Sequence, residues 1–84
     1  MDFTGKVVLI TGAGNGIGRA TSLGFATRGA TVVVVDHDKA AGEATAGIIR
    51  QQGGTALFVA ADVTKSADVQ AYVKATVDAY GKID

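Results

Sequence analysis

The chain has 84 residues, with eight basic and eight acidic side chains and no net charge, no cysteine and one histidine. That length holds one small domain, and balanced charge gives no footprint for nucleic acid or an anionic membrane surface. Without cysteine there is no disulfide and no thiolate metal site, and a lone histidine makes no zinc site unaided. Apolar residues make up 48%, which argues for a packed core and against disorder. The longest apolar runs, residues 7–10 and 32–35, fall far short of a membrane span. The opening Met1-Asp2-Phe3-Thr4 lacks the regions of a signal peptide. The expectation is a cytoplasmic protein with no nucleic-acid and no membrane partner.

Three strands and three helices alternate along the chain. Residues 6–11, 31–35 and 55–60 read as strands, and their continuous apolar runs predict strands covered on both faces, as in parallel sheets. Ile17, Ala20, Leu23/Gly24 and Thr27 form a helical stripe that ends at Gly29. Ala41, Ala44, Thr45 and Ile48 form a second, with Asp38 as N-cap and Gly53-Gly54 as its stop. Val69, Tyr72/Val73, Thr76/Val77 and Tyr80 form a third, between Thr64 as N-cap and Gly81, with both tyrosines packed in the core. The order β-α-β-α-β-α predicts a Rossmann-type, doubly wound parallel α/β sheet with right-handed crossovers.

Twelve glycines are many for this length, and Gly12, Gly14, Gly16 and Gly18 fall within seven residues. They sit between the first strand and the first helix. Glycines there permit a tight turn and let the backbone approach a ligand, and the free N–H groups of the helix start attract phosphate. Neither G-x-G-x-x-G nor the P-loop pattern occurs; the spacing is T-G-x-x-x-G-I-G from Thr11 to Gly18. Asp36 follows the second strand, 18 residues beyond Gly18, near the offset of a carboxylate that holds an adenosine ribose and repels a 2′-phosphate. His37 reads as a surface residue. Asp62-Val63 follows the third strand, facing the same crevice, where Asp62 suits an adenine amino group and Val63 the ring.

Together these motifs resemble the short-chain dehydrogenase/reductase family, with residues 3–12 similar to its first strand and residues 81–84 to the approach to its fourth. The resemblance implies a Rossmann fold and hydride exchange between an alcohol or carbonyl and a nicotinamide cofactor. It implies cofactor contacts at Gly12, Asn15, Gly16, Ile17, Gly18, Asp36, Asp62 and Val63. Asp36 with no basic neighbour beyond His37 implies NAD rather than NADP. The family's serine and Tyr-x-x-x-Lys are missing: Tyr72 is followed four residues on by Thr76 and Tyr80 by Asp84. No catalytic residue is therefore expected in this chain, which reads as the N-terminal part of a dinucleotide-binding domain cut before its fourth strand. A segment binding S-adenosylmethionine, as in methyltransferases, and a sheet fragment binding only protein are the alternatives. The strand edge at residues 7–10 is expected to need the remainder of the protein or another chain, and the intact protein is expected to be a homo-oligomer.

Overall fold

A computed structural model describes residues 2–84. The elements run β1 (Val7–Thr11), α1 (Gly16–Thr27), β2 (Thr31–Asp36), α2 (Lys39–Gln51), β3 (Thr55–Ala60) and α3 (Ser66–Tyr80). The strands form one parallel sheet in the order β1-β2-β3, with Val8 beside Val32 and Val32 beside Ala56. The Rossmann-type α/β reading of the sequence holds.

Alternation along the strands divides the core into two layers. Val8, Ile10, Val32, Val34, Ala56 and Phe58 pack with Leu23, Phe25, Ala46 and Ile49 of α1 and α2. Val7, Leu9, Val33, Val35, Leu57 and Val59 pack with Val69, Tyr72 and Tyr80 of α3 on the opposite face. β2 is central, and its four valines are fully buried. That explains a valine run with no polar alternation.

Two of the helices, α1 and α2, depart in part from their predicted stripes, while α3 keeps Val69, Tyr72, Thr76 and Tyr80 inward. Ile17 is 87% exposed, Ala20 and Thr27 are also exposed, and α1 turns Ser22, Phe25 and Ala26 inward beside the expected Leu23. The cause is Gly18, which seats the start of α1 against the Gly12 carbonyl and so fixes its rotation. In α2, Thr45 is buried as expected, but Gly42, Ala46 and Ile49 complete the inward face while Ala44 is exposed. Gly42 lies against the Phe58 ring, and this close approach sets that rotation. α3 is capped at Lys65, not Thr64, because the Thr64 hydroxyl donates to Asp62 Oδ1 at 2.6 Å. Both tyrosines pack in the core, and Val73 and Val77 stand 40% and 42% exposed.

At the outer edge of β1, Asp84 closes on Val7. Its N–H donates to the Val7 carbonyl at 2.7 Å, and its Oδ2 accepts from the Val7 N–H at 2.8 Å. The expectation of an open edge is thus corrected at Val7. From Val8 onward, β1 has no strand on that side among the described residues.

Two glycines of α2 provide an internal comparison. A Cβ at Gly42 would overlap the Phe58 ring, whereas nothing lies within 4 Å of one at Gly47. Alanine gains about 1 kcal/mol over glycine inside a helix, but overpacking costs about 1–3 kcal/mol. Gly47→Ala should therefore raise the urea midpoint and Gly42→Ala should lower it. Equal shifts of the same sign would show that α2 does not press on β3 at Gly42.

Candidate functional site

The carboxyl ends of the three strands meet at one end of the sheet, and the hydrogen-bond ladder runs on past them. Ala13 N–H donates to the Val35 carbonyl at 3.2 Å and Ala61 N–H to the Asp36 carbonyl at 3.1 Å. Ala13 and Ala61 are both buried. At this end lies a cavity of about 380 Å³ lined by Gly12, Asp36, His37, Ala61, Asp62, Val63 and Thr64.

The glycine loop on one side of this end is held at Gly14. Its N–H donates to Asp36 Oδ2 at 2.8 Å, and its carbonyl shares the single Thr45 Oγ1 hydrogen with the Ala41 carbonyl, each at 3.3 Å. Thr45, fully buried on α2, accepts in turn from Arg19 Nε of α1 at 2.9 Å. Arg19 also donates to the Ala41 carbonyl at 3.3 Å. A Cβ at Gly14 would lie 2.8 Å from both Ala41 Cβ and Asp36 Oδ2, and one at Gly18 would collide with the Gly12 carbonyl oxygen. No side chain fits at either position, so the backbone itself forms the surface.

Asp36 is the buried charge of the site. Oδ1 accepts from Asp38 N–H at 2.9 Å, and His37 Nδ1 lies 3.4 Å from the same oxygen. The Asp38 N–H, seconded by Gly14 and His37, holds the carboxyl below its usual range, although burial opposes this. Asp62 sits at the end of β3, where Oδ1 accepts from both Thr64 N–H and Thr64 Oγ1. These bonds, the hydroxyl first, hold its carboxyl below the usual range as well.

Of the residues singled out in the sequence, Gly12, Asp36, Asp62 and Val63 line this cavity. Asn15, Gly16, Ile17 and Gly18 lie beside it on the loop and the first turn of α1 and do not line it. His37 is exposed, as expected, yet it stands at the cavity wall. The reading missed Arg19 and Thr45. Thr45 was placed on an apolar stripe, and no local pattern shows that its hydroxyl reaches a carbonyl 31 residues away.

A family profile described as short chain dehydrogenase matches residues 6–84. An uncharacterized oxidoreductase of Thermotoga maritima is 46% identical over 84 residues, which are 100% of this chain and 33% of that protein. A short-chain dehydrogenase/reductase homolog of Bacillus subtilis is 41% identical over 86 residues, covering 100% of this chain and 78% of that protein. Among solved structures, a short chain dehydrogenase/reductase from Burkholderia phymatum in complex with NAD matches with a TM-score of 0.94 at 40% identity. The match covers 99% of this chain and 30% of that one. The chain thus spans about a third of the length of the Thermotoga and Burkholderia proteins.

The lowered Asp36 value carries a stability prediction. The folded state binds this proton less tightly than the unfolded chain, so the contribution is complete above the ordinary carboxylate range and is lost as pH falls through the folded value. Asp36→Asn should cost about 1.5–3 kcal/mol near neutrality, as for hydrogen bonds to a charged group. The gap between variant and wild type should close below about pH 4. Urea midpoints across the pH range check this, and a gap that persists unchanged in acid would contradict it.

Proposed function

This chain belongs to the short chain dehydrogenase family, and on that premise we propose that it is the NAD-binding segment of an oxidoreductase that moves hydride between an alcohol or carbonyl and nicotinamide. Family membership sets aside the methyltransferase alternative. The observation that carries the reading is the cavity at the carboxyl ends of three parallel strands, where Gly12, Asp36, Asp62 and Val63 converge. Ligands of open α/β sheets bind in such a crevice.

The residues present suit the two phosphates and the adenosine. Gly14 and Gly18 keep the loop clear of side chains. Gly12, Asn15, Gly16, Ile17 and Gly18 would border the pyrophosphate beside the positive end of α1. Each Asp36 oxygen accepts one backbone N–H and keeps further acceptor capacity for the ribose hydroxyls. Asp62 would accept from the adenine amino group, with Val63, 52% exposed, against the ring. Nicotinamide, when bound, supplies the hydride acceptor or donor. Proton transfer at the substrate oxygen is assigned to residues outside these 84, because neither tyrosine has a lysine four residues on and both pack in the core.

No helix among the described residues is long and apolar enough to cross a membrane, and the reading places the protein in the cytoplasm. The β1 edge beyond Val7 is assigned to the remainder of the protein or to another chain, within a homo-oligomer when intact.

Calorimetric titration of the chain with NAD, NADP and S-adenosylmethionine tests the assignment. NAD should bind most tightly and S-adenosylmethionine not at all, with no carbonyl reduction by the chain alone. Asp36→Ala should weaken NAD by about 1–3 kcal/mol and narrow the gap to NADP by removing a repulsion. An unchanged NAD-to-NADP ratio would sink the ribose assignment, and no binding of any of the three would leave a fragment that meets only protein.

A further inference from the structure

We propose that the Asn15–Gly16 peptide is a self-modifying site, and that its conversion places a fixed negative charge at the start of α1. The reaction is succinimide formation. The backbone nitrogen of Gly16 gives up its proton and attacks Cγ of Asn15. A new N–C bond forms as the Cγ–Nδ2 bond breaks, and Nδ2 leaves as ammonia with the proton that Gly16 lost. Water then opens the five-membered imide. Opening at the Cγ side gives aspartate, and opening at the main-chain carbonyl gives isoaspartate. Nothing is oxidised or reduced, and water is the sole co-reactant.

Several observations expose this peptide to that chemistry. Asn15 is exposed. It occupies the N-cap of α1, yet its side chain makes no capping hydrogen bond, so nothing holds Cγ away from the backbone. Gly16, the first helical residue, has no partner for its N–H one turn back. Nothing lies within 4 Å of where a Gly16 Cβ would stand, so Gly16 itself is uncrowded on that side. The positive end of the helix favours the anionic nitrogen that attacks, and the first turn of α1 holds no acidic residue to oppose it. The bond that resists rotation of the Asn15 carbonyl is the 3.2 Å contact from Arg19 N–H, at the fraying end of the helix.

The consequence for binding rests on the cofactor reading above. The new carboxylate lies within the loop assigned to the pyrophosphate and repels it, and isoaspartate also inserts a methylene into the loop backbone. Conversion would therefore retire the dinucleotide site without unfolding the sheet.

Asn15 is the single asparagine of the chain, and no aspartate is followed by glycine. Isoaspartate formed on ageing is assigned by fragmentation to position 15, where deamidation also adds the mass that isomerisation of an aspartate would not. The full chain is kept in mildly alkaline buffer at body temperature beside a synthetic peptide of residues 11–19. Mass spectrometry and isoaspartyl methyltransferase labelling follow both. The expected result is conversion of Asn15 at a rate comparable to the peptide, faster at higher pH and abolished in Asn15→Ser. An intact Asn15 after the peptide has converted fully would overturn the site. The converted fraction of aged wild type should bind NAD more weakly by about ten-fold or more, as like-charge repulsion near a protein surface requires. NAD affinity should not change on ageing of Asn15→Ser. Converted chain that binds NAD as tightly as fresh chain would overturn the effect on binding. Failure of fresh chain to bind NAD would overturn the cofactor reading, while the mass result still decides the modification.

Discussion

The backbone of Gly14 is held on both sides of its Cα, and the architecture of the site follows from that hold. Asp36 at the end of β2 holds its N–H, and Thr45 of α2 holds its carbonyl. The loop between β1 and α1 is thereby tied to the next strand and to the next helix at once. Buried backbone groups must find partners, and here these partners come from elements 22 and 31 residues distant. Arg19 extends the tie back into α1, so loop, strand and both helices on that face share one polar network. The network lies above an apolar layer that is already closed, which means that packing sets the height of the elements and the hydrogen bonds set the path of the loop.

Small residues make this arrangement possible. Gly18 lets α1 rest on the Gly12 carbonyl, Gly14 admits Ala41 and Asp36, and Gly42 admits the Phe58 ring. Each contact would be blocked by one methyl group. The helices come closer to the sheet than larger side chains would allow, and so Asp36 can reach Gly14. The glycine-rich composition has a purpose in packing as well as in the turn.

The strands were legible in the sequence because they are defined by continuous apolar runs, and β3 matches its predicted span while β1 and β2 differ by one residue at one end. Asp36, Asp62 and the glycine loop were legible because strand ends in this topology converge. The inward faces of α1 and α2 were not. Ile17, the largest apolar residue in the first turn of α1, stands in solvent, and in α2 Ile48 and Ile49 are adjacent, so the pattern alone does not say which of the two the sheet buries; the close approaches at Gly18 and Gly42 decide the rotation. Thr45 and Arg19 were hidden for another reason: their partners are fixed by tertiary approach, which periodicity does not encode. The capping residue of α3 was misplaced because Thr64 has two possible uses, and its hydroxyl serves the Asp62 turn.

Asp36 meets two demands with one charge. Two backbone donors, Gly14 N–H and Asp38 N–H, approach different oxygens of its carboxylate. An asparagine would set its own NH₂ against one of them, donor to donor, and a glutamate would carry its oxygens past both. The fold therefore calls for an acid here before any ligand arrives. The same bonds hold its carboxyl below the usual range, so it stays ionised at neutral pH. A ribose diol brings hydroxyl donors to that charge and adds to its hydrogen bonds. A 2′-phosphate brings like charge to a group that cannot escape by taking up a proton. The discrimination proposed for this site is thus a by-product of how the loop is anchored: the stronger the hold on Gly14, the more firmly the negative charge is kept where a phosphate would have to sit.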